Sequence, residues 1–245
     1  IFNSKFKENK TTPGSSGGGM SLYSKDSSKL SIINSTFTEN TASKGGGLEL
    51  NSHQQSIQIV TNSTFSKNIA NGIGAGIYAT SYDASKQVII NSIFDGNAGG
   101  KNLGKGVYAK SYGTSSQFIL SSTFSNNVGT EGESTDSQLA VMLKDGENYK
   151  SNAKIFNNLF HNTSNSWAVV YLTPPATNIS DTKQNQGSIN IDYNGFFSTE
   201  QSPHYIQESA IIKFNITKKY FNNVSLSSLT LATNLKTTDI AVIDK

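Results

Sequence analysis

The chain has 245 residues, of which 35% are hydrophobic and only 15% charged, with a formal net charge of +3 and no cysteine. All twenty basic residues are lysine, so the side chain best suited to bidentate capture of phosphate or carboxylate is missing. No basic groove interleaved with aromatics offers a nucleic-acid path. Disulfides and thiolate zinc sites are excluded, and no apolar run is long enough for a membrane-spanning helix.

The first residues, Ile1-Phe2-Asn3, carry neither an initiator Met nor a secretion signal, as expected of a segment of a larger precursor. Asn3-Ser4-Lys5-Phe6-Lys7-Glu8-Asn9 then begins a repeat. It returns as Asn34-Ser35-Thr36-Phe37-Thr38-Glu39-Asn40, as Asn62-Ser63-Thr64-Phe65-Ser66-Lys67-Asn68, and as Asn91-Ser92-Ile93-Phe94-Asp95-Gly96-Asn97. The fifth copy is Ser121-Ser122-Thr123-Phe124-Ser125-Asn126-Asn127, and a degenerate sixth is Asn157-Asn158-Leu159-Phe160. Tyr193-Asn194-Gly195-Phe196 has the outline of a seventh. Between successive phenylalanines lie Gly17-Gly18-Gly19, Gly45-Gly46-Gly47, Gly74-Ala75-Gly76 and Gly104-Lys105-Gly106, and a short apolar strand precedes each phenylalanine.

The first five phenylalanines lie 31, 28, 29 and 30 residues apart. Strands of three to five residues at that period cannot hold a helix pair and fit one coil of a solenoid. The expected fold is all-β: a right-handed, single-stranded parallel β-helix of about seven or eight rungs, roughly 35–40 Å long at the usual strand spacing. Phe6, Phe37, Phe65, Phe94, Phe124 and Phe160 would stack as one core ladder. Asn9, Asn40, Asn68, Asn97 and Asn127, together with the asparagines three before each Phe, would bond laterally between rungs. The glycines would supply positive φ or close approach at a corner. Regular rungs are expected over 1–130. Over 131–245 the same coil should continue irregularly, with insertions at 131–152, 173–187 and 198–209 and a possible closing segment at 237–244.

The F-x-x-N element, present as Phe6/Asn9, Phe37/Asn40, Phe65/Asn68, Phe94/Asn97 and Phe124/Asn127, combines with Gly18-Gly19-Met20 and Gly46-Gly47-Leu48. This pairing resembles the repeat of the chlamydial polymorphic outer-membrane proteins. Later copies relax the second half to Gly-x-Gly. The resemblance covers about residues 1–130 and implies a pectin-lyase-like β-helix with a surface or adhesin role.

Candidate chemistry is sparse. Asp26 and Asp83 stand at matching turn positions two rungs apart, roughly 9–10 Å, near the upper limit for an inverting glycosidase pair. Gln54 fills the rung between them, and ordinary turn aspartates are the favoured reading. Glu131, Glu133 and Asp136 form an acidic loop without a calcium-binding pattern. His53, His161 and His204 are isolated in sequence, and no metal or cofactor is expected. Gly99–Gly106 approaches a phosphate-binding loop but lacks Ser or Thr after Lys105. Tyr78 and Tyr108, with Tyr82 and Tyr112 similarly placed, would form an outward aromatic ladder able to grip glycans or a neighbouring subunit; ordinary cross-strand packing is the favoured alternative. Of the N-x-S/T sequons, Asn162, Asn178, Asn215 and Asn223 are the expected glycan acceptors. Asn9, Asn34 and Asn62 are set aside as inward ladder residues.

These features predict a non-catalytic extracellular or cell-surface protein, structural or adhesive, in a coat or an end-to-end filament. Its partners would be neighbouring copies, or surface glycans and receptors, with no nucleic acid and no membrane span in this segment. A glycan-binding adhesin module and a polysaccharide lyase or hydrolase are the rival readings.

Overall fold

A computed structural model describes residues 1–100, 103–129, 137–143, 151–162, 167–172, 188–198, 206–209 and 218–221. Among them every regular element is a β-strand, and the strands pair in parallel. One turn shows the path. Ile57–Thr61 passes the Asn62 corner into Thr64–Ser66, bends at Lys67 and Asn68 into Ile69–Ala70, and crosses Gly74–Gly76 into Ile77–Ser81. The Asp83 turn then leads to Lys86–Ile90, which lies beside Ile57–Thr61 with Gln58 opposite Gln87 and Val60 opposite Ile89. The chain is therefore a β-solenoid, with about four turns carrying all four strands.

Alternation sends every second side chain inward. Ile32, Val60, Ile89, Ile119 and Ile155 point in from the first row of strands, while Leu48, Ile77, Val107 and Leu139 point in from the row opposite. Between them runs the phenylalanine ladder. From Phe6 to Phe160 successive ring centroids are 4.7, 4.8, 5.1, 4.8 and 4.9 Å apart and nearly parallel. Phe196 lies in register with Phe160.

The asparagine three after each Phe forms a second ladder. Asn68 donates from its backbone N–H and its Nδ2 to Asn97 Oδ1, at 3.1 and 2.9 Å, and from Nδ2 to the Phe37 carbonyl at 2.9 Å. Asn9, Asn40 and Asn97 donate in the same way to the asparagine of the following turn. Asn127 instead donates to Gln138 Oε1. The asparagines three before each Phe do something else. Asn3, Asn34, Asn62, Asn91 and Asn157, with Ser121, adopt φ between 47° and 55° at a corner. The inward bonds expected of them come from the next residue: Ser35, Ser63 and Ser92 each donate their backbone N–H to the hydroxyl of the following turn.

The glycine motif divides its work. Gly17, Gly45, Gly74 and Gly104 take φ from 58° to 68°. The second glycine, as in Gly76, meets the next turn's backbone: a Cβ there would lie 2.3 Å from the Gly106 carbonyl oxygen.

Two of the three expected insertions contain strands. Ser137–Leu143 pairs with Val107–Ser111 and turns Leu139, Val141 and Leu143 inward, so 131–152 is not wholly an insertion. Its Ser-Gln start hid an alternation that begins only at Leu139. Ile206–Ser209, within 198–209, pairs with Trp167–Leu172. The insertion at 173–187 and the closing segment at 237–244 lie outside the described residues.

Candidate functional site

Two regions on the outside of the coil stand out. The first is the turn between the fourth strand and the next turn's first strand. Asp26, Gln54 and Asp83 all adopt positive φ there, at 61°, 57° and 57°, as Asp and Gly113 do readily and Gln does at some cost. They form a polar chain along the coil. Asp83 Oδ2 accepts the Gln54 backbone N–H at 3.0 Å, and Gln54 Oε1 accepts that of Asp26 at 2.9 Å. The Asp83 carboxylate is thus committed to shaping the turn before it. Gln54 stands between it and Asp26.

Beside this turn the rings of Tyr23, His53, Tyr82 and Tyr112 form a row. His53 stacks on Tyr82 at 4.3 Å, and Tyr82 on Tyr112 at 4.7 Å and 7° between planes. Tyr23 leans on His53 at 5.1 Å and is 60% exposed. Lys110 Nζ sits 4.9 Å from the Tyr112 ring centre, a cation over an aromatic face. His53, Tyr82 and Tyr112 each stand twelve residues before a phenylalanine, a spacing that ties His53 to the row. The geometry has a chemical consequence. Rings stacked face to face offer solvent their edges, whereas a sugar packs on an aromatic face.

Tyr78 and Tyr108 are in register and their rings stack at 5.9 Å. They stand side by side but are not equally exposed. Tyr78 is partly exposed with Lys44 Nζ 5.5 Å from its centre, but Tyr108 is only 5% exposed, its hydroxyl against Met142 Sδ at 3.6 Å. Burial, helped by the charge that Tyr78 and Tyr112 would carry when ionised, pushes the Tyr108 phenol up to about 12. Burial raises Tyr82 as well. With the folded value above the unfolded one near 10, this phenol's contribution to stability is complete below pH 10 and lost as pH rises through about 12. In an ultraviolet titration, Tyr108→Phe is expected to remove one tyrosine step from the alkaline end of the curve. A titration identical to that of the unmodified chain would contradict this.

The second region is the outer side of the first row of strands, Lys29–Ile33, Ile57–Thr61, Lys86–Ile90, Ser116–Leu120 and Asn152–Phe156. Here apolar side chains share the outward positions with polar ones. Ile59, Val88 and Phe118 lie in one register row, and Ile90, Leu120 and Phe156 in another, all half-buried. Lys29, Lys86 and Lys154 are the charged side chains of these five strands. The sequence marks these strands only as short and apolar, which does not say that part of their apolar side chains face outward.

His161 lies in register with Ser125, and Asn162 ends the same strand. Glu131, Glu133, Asp136, His204, Asn178, Asn215 and Asn223 lie outside the described residues. Among the described residues no three His, Cys, Asp or Glu side chains gather as metal ligands, and no helix is long and apolar enough to cross a membrane. No family model, curated protein or solved structure matches the chain.

Proposed function

We propose that this chain is a right-handed β-helix of seven or eight rungs that serves a structural or adhesive role at the cell surface or outside the cell. The reading is carried by the outward apolar face of Ile59, Val88, Ile90, Phe118, Leu120 and Phe156. The sheet face on which they lie, five strands at about 4.8 Å by five residues at about 3.3 Å, spans roughly 400 Å², and these six residues form one contiguous part of it beside the outward Lys29, Ser31, Thr61, Lys86, Asn152 and Lys154. A sheet face that carries such a patch beside Lys29, Lys86 and Lys154 is suited to lateral packing against a neighbouring copy or another macromolecule. The in-register asparagine and phenylalanine ladders also suit end-to-end continuation, since each turn presents the bonding pattern that the next one uses. The likeness of Phe37/Asn40 with Gly46-Gly47-Leu48, and of the other copies, to the polymorphic outer-membrane repeat supports the surface location.

The glycan-binding alternative is less well supported, because Tyr82 and Tyr112 cover each other's faces. A polysaccharide-cleaving pair at Asp26 and Asp83 is disfavoured by the bond that commits Asp83 to the Gln54 turn.

The test is self-association of the purified chain, followed by sedimentation and negative-stain electron microscopy at rising concentration. Assembly is expected, and Val88→Glu with Phe118→Glu, both outward, should abolish it while leaving the β-sheet circular dichroism unchanged. A chain that stays monomeric would refute the assembly reading, and one that assembles equally well with both charges in place would refute lateral packing through this face.

A further inference from the structure

We infer that Asn34 and Asn62 are acceptor sites for an N-linked glycan. Both begin N-x-T sequons, Asn34-Ser35-Thr36 and Asn62-Ser63-Thr64. Their place in the repeat suggested inward ladder residues unable to carry a sugar, and the structure reverses that. Each sits at the corner between two strands with φ of 51°, a backbone that Asn tolerates, and each side chain is exposed. The ladder that would have trapped them is made by Ser35 and Ser63 behind them and by Asn40 and Asn68 three residues after the Phe.

The local bonds leave the reacting atom available. Asn34 makes no side-chain hydrogen bond among the described residues. Among the described residues Asn62 is engaged only through Oδ1, which accepts Asn91 Nδ2 at 3.1 Å and the Thr61 hydroxyl at 3.4 Å. A glycan on Nδ2 breaks neither contact. Asn9, the third sequon of the repeat, differs: its Nδ2 donates to Asn40 Oδ1 at 2.8 Å, so its amide already belongs to the ladder. Asn91 shares the exposed corner but is followed by Ser92-Ile93 and forms no sequon.

The transfer is balanced. Nδ2 attacks the anomeric carbon of a lipid-pyrophosphate-linked oligosaccharide, the bond from that carbon to the pyrophosphate oxygen breaks, and the amide gives up one proton. The product is an N-glycosidic bond and the free lipid pyrophosphate. Asn34 and Asn62 lie on adjacent turns, flanked by the pairs Ile33–Thr61 and Thr36–Thr64, so their glycans would emerge about 4.8 Å apart. That places both at the edge of the apolar face.

This inference rests on the extracellular reading, and the experiment separates the two. The chain is translated with a cleavable secretion signal in the presence of eukaryotic microsomes, which supplies the compartment whatever the natural location. Sites are mapped by deglycosylation in heavy-oxygen water followed by peptide mass spectrometry. Label at Asn34 and Asn62 is expected. Thr36→Val and Thr64→Val, which keep the asparagine and a β-branched outward residue, should each remove one glycan-sized mobility step. Translocated chain with both asparagines unlabelled would overturn the inference, as would label that persists in the valine variants.

Discussion

Replacing Asn68 with Ala is expected to destabilise the solenoid by about 2–4 kcal/mol, well beyond the roughly 1 kcal/mol of a typical substitution. Asn68 sits fully buried in the middle of its ladder. Its Oδ1 accepts both the backbone N–H and the Nδ2 of Asn40, each at 3.0 Å, while its own Nδ2 reaches Phe37 and Asn97. Alanine therefore leaves the Asn40 backbone N–H without its acceptor, in a place where water does not replace it. Each orphaned buried group costs about 1–3 kcal/mol, and the turn on either side is affected. Asn68→Asp separates the donor and acceptor roles. It retains an acceptor for Asn40, but its second oxygen faces the Phe37 carbonyl and Asn97 Oδ1, both acceptors. Burial raises the pKa of such a carboxyl above its unfolded value of about 3.9. Its stability relative to the unmodified chain is then greatest below that value, where the protonated acid donates to Asn97, and falls as pH rises. Urea denaturation of both variants at acid and neutral pH tests this. Equal loss at the two pH values for Asn68→Asp would contradict the donor role of Nδ2.

The contrast between the two asparagine positions shows what the sequence could and could not reveal. Spacing alone identifies the Phe ladder and the asparagine three residues later, because identical residues recurring near thirty apart must stack in a solenoid. Spacing does not say which way a side chain points. Asn34 and Asn40 recur equally well, yet one supplies a left-handed corner and the other a buried amide. Nor does spacing assign a role to the serine at the following position, although Ser35, Ser63 and Ser92 carry the bonds expected of the corner asparagine.

Gln58, Gln87 and Gln117 were missed for a related reason. A glutamine between apolar residues in a strand reads as solvent-facing, but all three are buried and bonded in series, Gln87 Nε2 to Gln58 Oε1 at 2.9 Å and Gln117 Nε2 to Gln87 Oε1 at 2.6 Å. In a solenoid an inward polar side chain finds its partner in the same residue one turn away, so burial does not leave it unsatisfied. The signal was present, since each stands seven residues before a Phe. Because so many inward positions are polar, the apolar residues of those same strands could also turn outward. That exchange produced the unforeseen face of Ile59, Val88 and Phe118. The candidate site was thus legible as a set of aligned positions, but not as a set of directions.

Phe65→Ala is expected to cost about 3–5 kcal/mol, with Phe65→Leu costing markedly less. Phe65 is fully buried between Phe37 at 4.8 Å and Phe94 at 5.1 Å, so alanine leaves those rings facing each other across the vacant width of one ring. Parallel strands in register on both sides resist collapse into that space: Phe65 is fixed opposite Phe37 and Phe94 by the backbone pairing of Thr64–Ser66. The same rigidity predicts what will not compensate. A Cβ on Gly47 would lie 3.1 Å from Phe65 Cδ1, which suggests that Gly47→Ala could fill the space left by truncating the ring. It would also lie 2.7 Å from the Gly76 carbonyl oxygen, however, and that is backbone of the next turn. Truncating Phe65 removes the ring contact and leaves the carbonyl clash. The Gly47→Ala/Phe65→Ala double variant should therefore be less stable than Phe65→Ala alone in thermal or urea unfolding. A double variant restored toward the stability of the unmodified chain would show that the turns can slide past one another, and that the spacing of the solenoid is set by its side chains and not by its backbone ladder.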